Sequence, residues 1–561
     1  MSYDLLIRGG TILDGSGAPG FQGDVGIRDG RVVALGEADE SARETLDAEG
    51  RVVAPGFVDI HTHYDAQVLW DRMLSISPWH GVTTVVMGNC GFGVAPTRPE
   101  HRELVLRTLE KVEGMSYDAL GAGLGEQWPF ETFPEYMDAV EERGTAIHVG
   151  VLVGHTPVRL YVMGEEATER EATADEVARM RAIVSEALEA GAVGFATSKA
   201  PTHVGWQGRP VPSRLAHLDE IRALAGALGE RGAGILQATL GRGLFVDEFS
   251  TIASETGRPI SWTALLAGAA GKGWHRGVME RTGEQQRKGL EVVPQVSCRA
   301  LNFEFQWKEP FPFESMGLFS PVSSADFEGK LRIYADGDFR RKFAESTGSG
   351  LGVALANWWE RTQIATSPSD ASLEERALVD VARERGVHPV DAALDIGLES
   401  KLEARFRTAI MNTDEEDVAE LLTDPRTVLG LSDAGAHASQ LCDACFSTHL
   451  LGHWVRDKGV LSLPEAVRML TSRPAEVFGL TDRGRLTPGA PADVVVFDPE
   501  TVGASPLQRV YDQPAGADRL ISQANGIDAV IVEGSVLRRG GEDALDPDGE
   551  LPGRLLRGGC A

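Results

Sequence analysis

Between residues 83 and 431 the chain repeats one pattern, a short apolar run followed by a stretch of helical spacing. The runs lie at 83–87, 148–152, 192–197, 234–238, 259–263, 291–296, 408–411 and 428–431, and they carry almost no charge. Helical stretches such as 174–190, 217–231 and 374–385 separate many of them. Strands that are apolar throughout are buried on both faces, and their alternation with helices builds a parallel sheet. Eight such strands close a barrel. The pattern therefore predicts an α/β fold, a (β/α)8 TIM-like barrel.

The two ends of the chain read differently. Residues 3–8, 11–13, 24–28, 31–35 and 51–54 are short strands separated by Gly-rich or Asp-Gly turns. Arg28-Asp29-Gly30-Arg31 is a hairpin signal. Strand texture returns at 492–497, 529–533 and 536–538. These ends predict one small β-sandwich domain, residues 1–56 with 480–540, beside a barrel at 57–479. Residues 299–370 interrupt the barrel rhythm with many aromatics and read as an insertion able to cover a site. The tail, 541–561, is rich in Gly, Pro and Asp and is expected to pack poorly.

Composition narrows the partners. A formal net charge of −29 argues against nucleic acid and against membrane, since both require basic patches. Five scattered cysteines do not make a secreted disulfide framework. The first residues lack the basic start and apolar run of a signal peptide. No uncharged apolar run reaches the roughly 18 residues of a spanning helix. A soluble, cytoplasmic protein acting on a small-molecule substrate is the default expectation.

Four motifs carry chemistry. Val58-Asp59-Ile60-His61-Thr62-His63 places two histidines on the same side of one strand end, where both can reach one metal. Val428-Leu429-Gly430-Leu431-Ser432-Asp433 ends an apolar strand in a carboxylate that can serve catalysis or cap a turn. Gly88-Asn89-Cys90-Gly91 offers either a close-approach thiolate ligand or a small buried thiol. Lys199, at the end of another buried run, is either a charged catalytic group or a lysine reaching solvent. Cys442-Asp443-Ala444-Cys445 reads as helix entry rather than a zinc ribbon.

Together these pieces resemble the amidohydrolase superfamily, and within it the N-acyl-D-amino-acid deacylase (D-aminoacylase) branch. The resemblance covers nearly the whole chain. It rests on Asp4 to Gly15, Ala54 to His63, Gly88-Asn89-Cys90-Gly91, Gly154-His155-Thr156-Pro157-Val158-Arg159, Leu470 to Ala475, and Gly489 to Asp498. It implies a barrel with a β-sandwich from both termini, and hydrolysis of amide-type, non-peptide C–N bonds. A bound metal lowers the pKa of water and polarises the carbonyl. The residue matching Asp433 takes the proton and passes it to the leaving nitrogen. By carry-over His61, His63, Cys90 and Asp433 are metal ligands, with Lys199 a further candidate. His155 sits near the site floor.

The sequence departs from that pattern at two places. The branch carries a ligand histidine on the fifth strand, where this chain reads Gln237-Ala238-Thr239-Leu240. It carries another on the sixth, with a lysine two residues on, where this chain reads Ser261-Trp262-Thr263-Ala264. The His-Pro-Arg segment that follows the catalytic Asp is also absent. The departure implies one zinc, or another divalent metal, per chain. It also implies a substrate other than a simple N-acyl-D-amino acid. Trp262 and neighbouring aromatics suggest an apolar group on it, and Arg159, Arg242 or Arg299 would have to meet any carboxylate. The alternative is a repurposed or metal-free protein of the same fold, a lyase-like enzyme or a binder. Homo-oligomers are common in the superfamily, and nothing in the composition sets a number.

Overall fold

The computed structural model describes residues 2–314, 316–346 and 355–560. Its centre is a parallel eight-stranded sheet: β1 (Phe57–Asp59), β2 (Val82–Met87), β3 (His148–Gly154), β4 (Gly194–Ser198), β5 (Ile235–Thr239), β6 (Ile260–Thr263), β7 (Val292–Val296) and β8 (Val428–Leu429). Neighbours in sequence are neighbours in space from β1 to β8. The sheet curls until its two edges meet just past their strand ends. Thr62 and Ala434 form a parallel bridge there, flanked by Asp433 N–H to His61 O and His63 N–H to Ala434 O.

Alternation along the strands sorts the interior into layers. Val58, Val86, Ile235, Val293 and Val428 belong to one apolar cluster, with Leu152 and Ala196 completing a layer from seven strands. Two residues further along, the same side turns polar or small: Ile235 is followed by Gln237, Val293 by Gln295, and Ala196 by Ser198. The apolar layer fills the inside of the curled sheet, and the polar layer lies where β1 and β8 converge.

The expected strand at 408–411 is not part of this sheet; β1 holds the eighth place. Those residues end the strand Arg405–Met411, which pairs antiparallel with Leu301–Gln306 and Thr362–Thr366. Arg405 and Arg407 alternate with buried Phe406 and Thr408, the pattern of a strand with one face on a core. The insertion therefore runs past 370 to about Asn412, whose side chain bonds the carbonyls of Ser297 and Arg299 at its base. It has its own aromatic core around Phe305, Trp307, Phe313 and Trp358. Residues 347–354 of the expected insertion lie outside the described residues.

Both chain ends contribute to a nine-stranded sheet, joined where Val494–Phe497 lies antiparallel to Val52–Pro55. The strand Ala42–Asp47, which pairs parallel with Tyr3–Ile12, was not visible in the sequence because its burial is confined to one residue in six. No helix among the described residues is long and apolar enough to cross a membrane.

The tail is also a correction. Gly553 N–H bonds Thr145 O, and Leu556 N–H bonds Val149 O, both at 2.8 Å. Arg557 pairs with Asp138 and Glu141. Leu556 is fully buried in the apolar layer inside the curled sheet. Gly and Pro mark irregular backbone, which here follows a groove rather than solvent. Leu556→Ala should cost about 3 kcal/mol in urea unfolding of the intact chain. A loss near zero would mean that the tail does not plug the barrel.

Candidate metal centre and active site

His61 and His63 follow β1, and Thr62 between them turns the other way, its hydroxyl donating to Val86 O at 2.9 Å. The His61 ring is fixed from behind. Gln295 donates its amide N–H to Ser261 Oγ at 2.9 Å, which leaves its carbonyl oxygen 2.7 Å from His61 Nδ1. Nδ1 is therefore the protonated nitrogen and Nε2 the free one, as a metal ligand requires. His61 Nε2 lies 3.4 Å from Cys90 Sγ and 3.2 Å from Asp433 Oδ1. His63 Nε2 is 3.7 Å from the same Asp433 oxygen, and its Nδ1 is 3.3 Å from Glu113 Oε1.

Cys90 reaches the cluster through a turn that few residues could form. Gly88, Cys90 and Gly91 all have positive φ. A Cβ on Gly88 would stand 2.2 Å from Leu152 O, so only glycine fits. The Cys90 N–H donates to Gln237 Oε1 at 2.7 Å. Asp433 also has positive φ, and the loop that carries it passes so close to His63 that a side chain at Gly435 would meet the His63 carbonyl.

The ligand atoms of His61, His63 and Cys90 lie within 4.8 Å of one another, all buried. Burial works against each charge here, and the partners overcome it. The imidazoles hold the Cys90 thiol down at about 6. His63 and His61 hold the Asp433 carboxyl well below the usual range. Glu113 and Asp433 raise His63 well above its ordinary value. Protons on imidazole thus balance a concentration of negative charge, which a cation would balance equally well. Two imidazoles, a thiolate and a carboxylate are a donor set suited to zinc or a similar divalent ion. Burial also raises Asp59 and Asp65 to about 7, directly around the cluster.

Five residues named from the sequence lie elsewhere. Lys199 donates Nζ to the carbonyls of Arg214 (2.5 Å) and Ala216 (2.7 Å), so its charge is spent on a loop and not on the histidines. His155 bonds Thr197 and Glu220, each at 2.8 Å, and Arg159 donates to Glu220 as well, a buried cluster in which Arg159 and Glu220 are the ion pair. Trp262 points outward from β6 against Phe245 and Phe249. Its neighbours Ser261 and Thr263 are the inward positions, bonded to Gln295 and Gln237. Arg299 is held by Asp443 at 2.6 Å. The inward side of β5 and β6 is thus Gln237, Thr239, Ser261 and Thr263, all neutral.

Sequence reasoning missed Glu113 and Gln295 as parts of the site, and read Gln237 only as the residue standing where a ligand histidine is expected. Glu113 ends the helix Arg102–Glu113 and looks like any surface helix end. The glutamines were legible only as polar residues inside apolar runs, and that signal is real. Among the described residues a second cluster, His275, Asp417 and Glu420, is already bridged by Arg276.

A model of the amidohydrolase family matches residues 44–538. The N-acyl-D-glutamate deacylase of Alcaligenes xylosoxydans xylosoxydans is 30% identical, covering 99% of this chain and 96% of its own. The crystal structure of N-acyl-D-glutamate deacylase from Bordetella bronchiseptica, complexed with zinc and a phosphonate inhibitor, superposes with a TM-score of 0.68. It is 28% identical and covers 99% of this chain and 100% of its own. A D-aminoacylase structure described by one-metal activation and second-metal attenuation of a binuclear centre also gives 0.68, at 26% identity and with 99% and 100% coverage.

The electrostatics give a test on metal-stripped protein. Cys90 should alkylate faster than Cys298, whose thiol burial pushes up. Because its pKa is lowered to about 6, the Cys90 rate should plateau above that pH and fall about tenfold per unit below it. Added zinc should block the reaction. Equal rates at Cys90 and Cys298 would contradict the cluster's charge balance.

Proposed function

We infer the chemistry of this site from one premise: the chain belongs to the amidohydrolase family, in its D-aminoacylase-like branch. It is a hydrolase of non-peptide C–N bonds. The finer reading is a small-molecule amidase with one divalent metal per chain, held by His61, His63, Cys90 and Asp433. It treats the curled sheet as a complete (β/α)8 barrel carrying a β-sandwich from both chain ends.

A divalent cation bound there would supply Lewis acidity and acidify water. The protein does the rest. Gln295 holds the proton of the neutral His61 ring on Nδ1 and leaves Nε2 aimed at the cluster. Glu113 orients His63. The Asp433 carboxylate, kept ionised by the two imidazoles, accepts the proton of the attacking water and delivers it to the amide nitrogen as the C–N bond breaks. Hydroxide adds to the carbonyl carbon and the proton leaves with the amine, so the step balances.

The observation that carries this reading is the meeting of Asp433 with both imidazoles and Cys90. The neutral inward faces of β5 and β6 support one metal rather than two, because amides and hydroxyls are poor zinc ligands. Elemental analysis of protein purified without added metal should find about one divalent ion per chain, lost in His61→Ala. Asp433→Asn should retain most of that metal and lower kcat roughly a thousandfold. A metal-free native protein, with no gain on adding zinc or manganese, would sink the hydrolytic mechanism.

A further inference from the structure

Cys442-Asp443-Ala444-Cys445 takes no part in the metal cluster, and the fold gives it a place of its own. It ends the loop that starts at Asp433, where the chain turns into the helix beginning at Phe446. Phe446 N–H bonds Asp443 O at 2.9 Å, and this turn brings Cys445 Sγ to 3.6 Å from the Cys442 carbonyl oxygen. The two thiols are side-chain neighbours, and the proton between them is held on Cys442. That contact, and then the Arg299 guanidinium, ease Cys445 toward thiolate. A third thiol, Cys298, is engaged elsewhere. It donates to Phe446 O at 3.4 Å, and burial keeps it protonated.

Access separates the two sulfurs. Cys442 and Asp433 line one cavity of about 40 Å³, with Tyr64, Asp443 and Arg519 in its wall. That space suffices for a molecule of the size of water or hydrogen peroxide. Cys442 is 7% exposed, whereas Cys445 is 0% exposed and does not line the cavity. One sulfur is thus open to a small oxidant, and its neighbour is placed to follow it. An attacked thiol beside a resolving thiol has this arrangement.

We propose that Cys442 and Cys445 are a dithiol pair that hydrogen peroxide, entering the cavity beside Asp433, oxidises to a disulfide. The Cys442 sulfur attacks one peroxide oxygen, the O–O bond breaks, and the thiol proton leaves with the other oxygen as water. The Cys445 sulfur then attacks the sulfenic sulfur. The S–O bond breaks, and the hydroxyl takes the Cys445 proton as a second water. The two thiols lose two electrons and the peroxide gains them. The disulfide lies in the wall of the cavity that Asp433 also lines. Neither sulfur is among the metal-cluster residues, so the inference stands apart from the hydrolase reading.

The test treats the full-length, zinc-loaded protein with hydrogen peroxide, then alkylates it and cuts it with trypsin. Residues 427–456 form one peptide that holds both cysteines and no other. It should lose two hydrogens, resist alkylation, and regain both thiols with dithiothreitol. In Cys445→Ser the peptide should instead gain oxygen at Cys442. In Cys442→Ser its oxidation should slow at least about tenfold. Glutathione disulfide, too large for the cavity, should act at least about tenfold more slowly than peroxide at equal concentration. A bond from either cysteine to the peptide 289–299, which holds Cys298, would overturn the pairing. So would full alkylation of both thiols after peroxide. Equal rates with glutathione disulfide would overturn the cavity route.

Discussion

One backbone bridge, between Thr62 and Ala434, decides where the chemistry of this chain can be. It joins the first and last strands of the curled sheet, and the residues beside it are His61, His63 and Asp433. The three side chains come from segments about 370 residues apart, yet the hydrogen bonds Asp433 N–H to His61 O and His63 N–H to Ala434 O fix their separation through backbone alone. No flexible loop has to bring the carboxylate to the imidazoles. The bridge also explains the strained backbone at Asp433. The chain must leave a strand, cross over His63 and turn back, which the positive φ at Asp433 and Gly435 allows.

Beyond that bridge, the site is shaped by what the interior layers contain. Most strands contribute an apolar residue below and a polar or small one above, so the polar floor is set by the same alternation that packs the inside of the curled sheet. Gln295 and Gln237 are products of that alternation. One orients His61, and the other accepts from the Cys90 N–H. A fully buried amide must satisfy both its donor and its acceptor, and Gln295 does so through Ser261 and His61. Replacing either partner would free the imidazole to choose the other tautomer.

Much of this was legible in the sequence. Seven of the eight apolar runs, the β-rich ends and the His61-Thr62-His63 pair follow from spacing and residue type, while spacing alone left Cys90 and Asp433 open between a chemical and a structural role. What was not legible depended on direction. Trp262 and Thr263 differ by one position, and only the register of β6 says which faces the site. Lys199 ends a buried strand as a catalytic lysine would, and only the loop at 214–216 shows where its ammonium goes. The run at 408–411 matches a barrel strand in composition, and it is the charged residues just before it that betray a one-sided core. Loose composition in the tail described its backbone and not its contacts, because one leucine was enough to pin it.

The insertion between β7 and β8 is a second, separately packed part of the chain. It folds around its own aromatic core, so it can change without disturbing the barrel. It touches the loop that follows Asp433 through the backbone bond from Glu304 to Gln440, three residues before Arg299's partner Asp443. The cluster of His61, His63, Cys90 and Asp433 sits at the ends of the curled sheet and Phe303, next to Glu304, on the insertion, so the two are carried by separately packed parts of one chain.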